Sequence, residues 1–200
     1  MVIKPALEHN KKYYVWELTD INIPDKVFDL IENGEFINYN EALGDDHLKH
    51  PATRYHLESD PQPNSIIGEI LKPVLPFTIL SQDYHMDSTW PLFFRKQVAK
   101  IRPQFGGSIV KDTPGFTMDP HLDNNLVFAT ALINLKDNPD CHTEYYSDEN
   151  GKNIIYRGPT KKGTGTFHFN SPYLFHNGFN KGLENRLIAF ANMGTANIHG

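Results

Sequence analysis

Two histidines, one aspartate and one arginine in the second half of the chain have the types and spacing of a metal site with an anion site beside it. His121 and Asp123 are separated by one residue, His176 lies well downstream, and Arg186 follows that histidine by ten residues. Alternate residues of an extended segment project to the same side, so His121 and Asp123 can converge on one ion where a strand ends. The sequence therefore predicts that His121, Asp123 and His176 hold a metal ion.

The ligand types favour iron over zinc. Two imidazoles and one carboxylate on one face of an Fe(II) ion leave three coordination positions open, which is enough for a chelating co-substrate and O2. A structural zinc site would close its coordination sphere with four protein ligands, usually including cysteine, and this chain has a single cysteine, Cys141. We therefore expect a mononuclear iron centre.

The position of Arg186 is predicted from strand pairing. Residues 173–179 and 186–193 have the aromatic and aliphatic composition of strands, and Asn180-Lys181-Gly182 between them is a turn signal. An antiparallel hairpin centred on this turn would place His176 roughly opposite Arg186, with Cβ atoms about 4.5–5.5 Å apart. A short dicarboxylate that chelates the metal would then present its far carboxylate to the guanidinium, which binds carboxylates as a bidentate fork.

The residues around these side chains form three motifs, namely Pro114-Gly115-Phe116-Thr117-Met118-Asp119-Pro120-His121-Leu122-Asp123, Phe175-His176-Asn177-Gly178 and Asn185-Arg186-Leu187. They resemble the iron and 2-oxoglutarate dependent dioxygenases, in particular the prolyl-hydroxylase-like branch found in bacteria and phages. The resemblance covers residues 105–193 and implies that His121, Asp123 and His176 are the iron ligands and that Arg186 binds 2-oxoglutarate. Some of these enzymes carry serine two residues after the arginine, where this chain has Ile188.

The resemblance implies an enzyme with Fe(II) as cofactor and 2-oxoglutarate and O2 as co-substrates. Such an enzyme couples oxidative decarboxylation of 2-oxoglutarate to hydroxylation of a second molecule. The carboxylate of Asp123 favours hydroxylation, because halogenases of this type have a small residue at that position to admit halide. The substrate stays open among peptidyl proline, another side chain, a sugar and a small metabolite. Two other classes also stay open: a cupin-like metalloenzyme that does not use 2-oxoglutarate, and a non-catalytic jelly-roll binding module.

A second histidine–aspartate pair competes with the first. His85 and Asp87 have the same spacing, His142 lies about as far downstream, and Lys152 follows that histidine by ten residues. The acidic, glycine-containing turn before Lys152 would place His142 opposite residue 156 rather than opposite the lysine. We therefore favour the first set.

Three aromatic residues near the predicted site are given structural roles. His168 lies between Phe167 and Phe169, so we expect a strand residue that points away from the aromatic face and is not a ligand. Tyr145 and Tyr146 are expected to close an edge of the core.

Short β-rich runs separated by turns fill the chain from residue 98 onward, and an earlier run at 13–18 has the same composition. The later runs are 98–101, 108–111, 126–135, 142–146, 153–157, 165–169, 173–179 and 186–192. Short strands at this spacing predict an antiparallel sandwich or jelly roll, and the resemblance implies the same architecture, a double-stranded β-helix. The expected fold class is mainly β (α+β), with residues 98–193 as the jelly-roll core that carries the metal site.

Residues 1–97 are expected to form a helical and loop-rich support for that core. Pro24 opens a first helix that ends near Gly34, and a second helix follows Asn64-Ser65 and ends before Pro73. Both helices are expected to pack on one outer face of the sheet. Residues 40–63 are polar and rich in proline and histidine, so we expect a long loop that flanks the metal pocket.

Composition and charge limit the class of protein. A chain of 200 residues with 39% hydrophobic and 22% charged residues is typical of a single globular domain, here residues 1–200. Residues 1–100 hold 10 Lys and Arg against 15 Asp and Glu, whereas residues 101–200 hold 9 of each, and this argues against a nucleic-acid binder, which needs a basic face. The chain shows no signal-peptide pattern, no apolar run of the roughly 20 residues that a membrane span needs, and one cysteine, so we expect a cytoplasmic protein.

Overall fold

A computed structural model describes residues 1–9, 13–38, 53–57, 66–72, 104–123 and 127–194. This part of the chain forms eleven strands and two helices. They are β1 (Val2–His9), β2 (Tyr13–Thr19), α1 (Asp25–Asn33), β3 (Phe36–Asn38), β4 (Arg54–Leu57), α2 (Ile66–Leu71), β5 (Gln104–Asp112), β6 (Val127–Asn134), β7 (Thr143–Tyr146), β8 (Ile154–Arg157), β9 (Gly165–Phe169), β10 (Phe175–Gly178) and β11 (Arg186–Gly194). Neither helix has the length and apolar composition that a membrane span requires.

The strands form two antiparallel sheets. The large sheet has the order β1-β2-β9-β6-β11-β5-β4-β3, and the small sheet has the order β10-β7-β8. Residues 115–121 run beside β10: the Met118 N–H donates to the Gly178 carbonyl at 3.0 Å, and His121 and His176 exchange both backbone hydrogen bonds, at 3.0 and 2.9 Å. This segment therefore lies along the free edge of the small sheet and carries His121 with it.

The two faces of the large sheet differ in chemistry because side chains alternate along each strand. The outer face is apolar, and its buried cluster also contains Val27 of α1 and Ile70 of α2. Full burial of such a side chain contributes about 1.5–3 kcal/mol. The inner face, which is turned toward the small sheet, is polar. Its buried side chains include Asp112, Thr130, Thr166, His168 and Arg186. A polar site can therefore be built between the sheets.

Most predicted elements are present. Each predicted run from residue 126 onward coincides with one strand from β6 to β11, and the run at 165–169 has the bounds of β9. The runs at 13–18 and 108–111 lie within β2 and β5, and both predicted helices form, as α1 and α2. The run at 98–101 lies outside the described residues. β1 has no counterpart among the predictions, and it joins the large sheet by pairing with β2.

The predicted hairpin of β10 and β11 is wrong. β10 pairs with β7 in the small sheet, whereas β11 pairs with β5 and β6 in the large sheet. The connection crosses between the sheets, and buried Asn180 holds it, because its side-chain amide donates to the carbonyls of Asp112 and Glu184 at 2.8 Å each. A turn signal marks where the chain reverses direction, but it does not determine which strands the two arms pair with.

The loop predicted at residues 40–63 is wrong at residues 54–57. These residues form β4, which pairs with β3 on one side and with β5 on the other. Arg54-Tyr55-His56-Leu57 does alternate between polar and apolar residues, but four residues are the shortest run in which alternation indicates a strand, and the surrounding polar, proline-rich sequence favoured a loop. Residues 40–52 and 58–63 lie outside the described residues.

Candidate metal centre and anion site

His121, Asp123 and His176 lie together between the two sheets. Each residue has a potential ligand atom within 4.8 Å of the other two. The Oδ1 atom of Asp123 is 3.6 Å from Nε2 of His176, and the rings of His121 and His176 have their centroids 4.5 Å apart. The structure thus brings the three predicted ligands into one cluster that could hold a metal ion.

Backbone pairing positions the two histidines. His121 and His176 are directly opposed in an antiparallel pair, so their side chains project to the same side. Asp123 is two residues after His121 and projects to that side as well. Nδ1 of His121 is 2.9 Å from the Asp119 carbonyl oxygen, which can only accept a hydrogen bond. Nδ1 therefore carries the proton, and Nε2 of His121 keeps its lone pair for a ligand bond.

The two oxygen atoms of Asp123 have different surroundings. Oδ2 accepts a hydrogen bond from the Thr130 hydroxyl at 2.6 Å and lies 3.4 Å from Nε2 of His168. Burial opposes ionisation of Asp123, but the neighbouring His176 and His168 and the hydrogen bond from Thr130 outweigh it and hold the pKa of the carboxyl below its usual range. The carboxylate is therefore ionised and presents Oδ1 to the histidines.

His176 has the protonation state that a metal ligand needs. Burial lowers the pKa of His176 to about 3, although the charge of Asp123 acts in the opposite direction. The imidazole is therefore neutral at neutral pH, and only a neutral imidazole can donate its lone pair to a metal. An ionised carboxylate and a neutral imidazole side by side form a donor set that fits a divalent cation.

The place of His168 beside this cluster was not predicted. His168 points away from Phe167 and Phe169, as expected, but that side is the inner face of the large sheet, where only 1% of the residue is exposed. Its ring centroid is 4.8 Å from that of His176, and its Nδ1 is 3.1 Å from the buried Tyr145 hydroxyl. The alternation of side chains along β9 could have indicated this position. Phe167 and Phe169 face the outer core, so His168 between them must face the space between the two sheets.

Of the competing set, only His142 and Lys152 lie in the described part of the chain, and they do not face each other. In the β7–β8 pair Tyr145 lies opposite Tyr156, and Nδ1 of His142 is 3.2 Å from the Gly158 carbonyl oxygen. Lys152 lies between β7 and β8, so the prediction that it does not face His142 is confirmed, but the prediction that His142 faces residue 156 is wrong, because Tyr156 pairs with Tyr145. His85 and Asp87 lie outside the described residues.

Arg54, Asp112 and Arg186 form a row across three adjacent strands on the inner face of the large sheet. Asp112 is the register partner of Arg54 in β4 and of Arg186 in β11. Arg54 binds both carboxylate oxygens, with Nε at 2.7 Å from Oδ1 and Nη2 at 2.9 Å from Oδ2. Nη1 of Arg186 is 3.8 Å from Oδ2. The side chains are 13%, 0% and 3% exposed in row order, so a partly buried and a buried guanidinium lie on either side of one buried carboxylate.

The Arg186 side chain crosses to the small sheet. Its Nη2 donates to the Thr143 hydroxyl at 2.9 Å, and a Cβ atom added to Gly178 would lie 2.9 Å from Nη1. Burial lowers the pKa of Arg186, and Asp112 opposes this effect. Its Nε has no hydrogen-bond partner among the described residues. A buried guanidinium with an unused donor is suited to bind an anion.

The guanidinium of Arg186, the candidate anion site, lies within the length of a small molecule from the histidines. Gly178 is two residues from His176 on β10, a span of about 6.6 Å. Leu132 and Phe190 are directly opposed on the inner face, and both are half-buried. They lie between the Arg186–Asp112 pair on one side and the Asn192–Thr130 pair on the other. Arg186 therefore comes close to β10 at Gly178 and not opposite His176 as predicted, and it does so across the gap between the sheets and not across a hairpin.

Comparison with known proteins identifies the fold. No protein-family model matches the sequence, and no curated protein matches it. A prolyl hydroxylase from Trichoplax adhaerens, solved with a peptide fragment of hypoxia inducible factor, matches with a TM-score of 0.59 and 10% identity over 95% of this chain and 86% of that one. A prolyl-4-hydroxylase from Pseudomonas putida matches with a TM-score of 0.57 and 13% identity over 90% and 92% of the two chains. The epimerase SnoN, in complex with Fe3+, alpha ketoglutarate and nogalamycin RO, matches with a TM-score of 0.51 and 13% identity over 92% and 79%.

The likeness to these structures defines a class of fold. The two facing antiparallel sheets are the double-stranded β-helix found in non-haem oxygenases that use 2-oxoglutarate. Among the matched structures are prolyl hydroxylases from an animal and a bacterium. The mainly β fold class that the sequence predicted is confirmed.

Proposed function

We propose that the protein is an Fe(II)- and 2-oxoglutarate-dependent oxygenase that hydroxylates a second molecule. His121, Asp123 and His176 would hold the iron, and Arg186 would hold the co-substrate. When bound, iron, 2-oxoglutarate and O2 would supply the oxidising chemistry: one oxygen atom of O2 would enter succinate as 2-oxoglutarate loses CO2, and the other would enter the hydroxyl group of the product.

The observation that carries this proposal is the buried guanidinium of Arg186, whose nearest carboxylate, Asp112, is already bound by Arg54. Arg54 and Arg186 share only the carboxylate of Asp112 among the described residues. A charge removed from water without a partner costs several kcal/mol, so this arrangement favours binding of an anion. In 2-oxoglutarate, the 2-oxo acid end can chelate a metal while the far carboxylate binds Arg186. A cupin-like enzyme that does not use 2-oxoglutarate would have no need of that arginine.

The separation of the two sites supports a five-carbon dicarboxylate. The guanidinium of Arg186 comes close to β10 at Gly178, about 6.6 Å along the strand from His176. The Thr143 hydroxyl, which is 2.9 Å from Nη2 of Arg186, would contact the same far carboxylate. This hydroxyl would then serve where some related enzymes use a serine two residues after the arginine.

Thr130 and His168 would orient the proposed ligand Asp123. Both contact Oδ2, which leaves Oδ1 for the iron. Fixed partners of this kind keep a carboxylate in one orientation and raise the affinity of a site for its metal. The protein would thereby contribute a rigid, buried ligand set on one side of the ion.

The first substrate to test is peptidyl proline. Two of the matched structures are prolyl hydroxylases, and one of them was solved with a peptide. The nogalamycin compound bound by SnoN shows that the fold also admits other substrates in other proteins.

Thr130→Val is expected to weaken Mn(II) binding by about 10–100-fold, as loss of a hydrogen-bond partner of a metal ligand does. The substitution keeps the shape of the side chain and removes the hydroxyl that donates to Asp123. Thr164→Val is the matched control, because the hydroxyl of that threonine donates to the Lys161 carbonyl in an exposed turn and contacts none of the described residues around Asp123. Calorimetric Mn(II) titration gives both affinities, and equal affinities for the two variants would contradict a role of Thr130 in holding Asp123.

Gly178→Ala is expected to weaken 2-oxoglutarate binding at least about tenfold, or about 1.4 kcal/mol. The added Cβ would lie 2.9 Å from Nη1 of Arg186 and would displace the guanidinium. Mn(II) affinity should stay close to that of the wild type, since the ligand side chains are not touched. Titration of the Mn(II)-loaded variant with 2-oxoglutarate measures the effect, and an unchanged affinity would place the co-substrate elsewhere.

The proposed function is tested by succinate release from 2-oxoglutarate in air. The wild type should form succinate with Fe(II) and should form none with Zn(II) or without metal, even when no second substrate is present to couple the reaction. A cupin-like metalloenzyme would bind the metal and leave 2-oxoglutarate intact, and a non-catalytic binding module would do neither. Either of those results would overturn the proposal.

A further inference from the structure

Asp112 lies between two arginines and is bound by only one of them. Both of its oxygen atoms accept hydrogen bonds from Arg54, at 2.7 and 2.9 Å, whereas the closest ion-pair distance to Arg186 is 3.8 Å. Bidentate pairs of arginine and carboxylate are among the strongest hydrogen-bonded contacts in proteins. The carboxylate is therefore committed to Arg54.

Arg54 is itself held in place from three sides. It belongs to β4, which pairs with β5, and its guanidinium stacks over the Phe116 ring with 4.3 Å between the guanidinium carbon and the ring centroid. Its Nη1 is 3.4 Å from the sulfur of Met118. Phe116 and Met118 lie on the segment that leads to His121. The short strand β4 is thus fastened both to the anion site and to the segment that carries a proposed metal ligand.

Loss of Arg54 would release a fully buried carboxylate next to Arg186. A buried carboxylate without a partner is strongly unfavourable, and Arg186 is its register partner on the other side. A movement of about 1 Å from the present 3.8 Å would make a direct pair of about 2.8 Å. The guanidinium would then be neutralised by the protein and would bind an external anion less well.

We propose that Arg54 is a positioning residue that keeps Arg186 available for the co-substrate by holding Asp112. Arg54 acts through Asp112 and needs no contact with the bound molecule. The charges support this role, because the two arginines balance Asp112 and Asp123, and a divalent metal balances the 2-oxoglutarate dianion. The inference rests on the proposed function, in which Arg186 binds the far carboxylate.

The test is a double-mutant cycle on 2-oxoglutarate affinity, measured by calorimetry with Mn(II)-loaded protein. Arg54→Met, measured with saturating Mn(II), should weaken 2-oxoglutarate binding about tenfold or more, equivalent to about 1.4 kcal/mol. The double variant Arg54→Met/Asp112→Asn should regain an affinity within about threefold of the wild type, because the competing carboxylate is gone. The free-energy effects of substitutions at uncoupled sites add to within about 0.5 kcal/mol. A rescue of this size would exceed that limit and would show that Arg54 and Asp112 are coupled.

Arg157→Met is the matched control. Arg157 also pairs with a carboxylate through Nε, at 2.7 Å from Glu144, but it lies on the small sheet with 60% of its side chain exposed. Its loss should leave 2-oxoglutarate affinity unchanged. Should Arg54→Met not fold, Arg54→Lys with and without Asp112→Asn gives the same comparison, since lysine keeps the charge but loses the bidentate fork.

The possible results separate the inference from the proposed function. Wild-type affinity in Arg54→Met would overturn the inference, and so would a double variant as weak as Arg54→Met alone, because Arg54 would then act without Asp112. If the Mn(II)-loaded wild type does not bind 2-oxoglutarate, the proposed function itself fails. Weak binding in Arg54→Met with recovery in the double variant supports both.

Discussion

His176→Ala is expected to lower Mn(II) affinity by more than about 100-fold. Loss of a hydrogen-bond partner of a metal ligand already costs about 10–100-fold in affinity, and this substitution removes a ligand itself. His176 is buried and neutral, and its Nε2 faces Oδ1 of Asp123 at 3.6 Å. The substitution removes a proposed ligand atom, whereas the backbone hydrogen bonds between His176 and His121 can still form. Calorimetric titration with Mn(II), used as an inert substitute for Fe(II), measures the loss.

Two histidines of the competing set provide controls for this prediction. His142→Ala and His85→Ala should bind one Mn(II) per chain with wild-type affinity. His142 contacts the Gly158 carbonyl and not the cluster. If His85→Ala abolished Mn(II) binding and His121→Ala preserved it, the metal site would have been assigned to the wrong pair of residues.

Arg186→Ala is expected to weaken 2-oxoglutarate binding by one to two decades while Mn(II) affinity hardly changes. A hydrogen bond to a charged group contributes about 1.5–3 kcal/mol, and each decade of affinity corresponds to about 1.4 kcal/mol. In the wild type, 2-oxoglutarate at 100 times its Kd should stabilise the Mn(II)-loaded fold by about 2.7 kcal/mol, which raises the Tm by about 5–10 °C for a chain of this size. At the same concentration, Arg186→Ala should show less than about half of that stabilisation.

Arg186→Lys separates charge from geometry at the same position. Lysine keeps the positive charge but not the fork, so this variant should recover part of the shift in Tm. Equal responses of the wild type and Arg186→Ala to 2-oxoglutarate would reduce Arg186 to a structural residue of the sheet. The cupin-like alternative would then be the better interpretation.

Local patterns in the sequence were sufficient for β2, for the strands from β5 to β11 and for the His121–Asp123 pair, but not for β1, β3 or β4. The run at 165–169 alternates around His168 and gives β9 its bounds. The single-residue spacing of His121 and Asp123 puts both side chains on one side of an extended segment. These features depend on neighbours within a few residues, and such neighbours can be read from one sequence.

Strand pairing could not be read in the same way. Asn180-Lys181-Gly182 marks a reversal of the chain, yet β10 and β11 separate into different sheets because each finds another partner across the fold. Arg186 reaches β10 only because its side chain is long enough to cross between the sheets. The sequence therefore predicted that Arg186 lies near β10, but it did so from a hairpin that does not form.

Two residues at the site have roles that depend on distant contacts. Arg54 contacts Asp112 across 58 residues of sequence, and the four-residue alternation of β4 does not indicate which strand it pairs with. The orientation of His168 followed from alternation, but its contact with Asp123 depends on how the two sheets face each other. Neither contact leaves a local signal.

The most direct test of the proposed function is calorimetric titration of 2-oxoglutarate into the purified wild-type protein, with and without Mn(II). The arrangement of the metal cluster and Arg186 predicts one 2-oxoglutarate per chain, bound much more tightly when Mn(II) is present, because the metal holds one end of the molecule and the guanidinium holds the other. No binding, or binding of equal affinity with and without Mn(II), would contradict it.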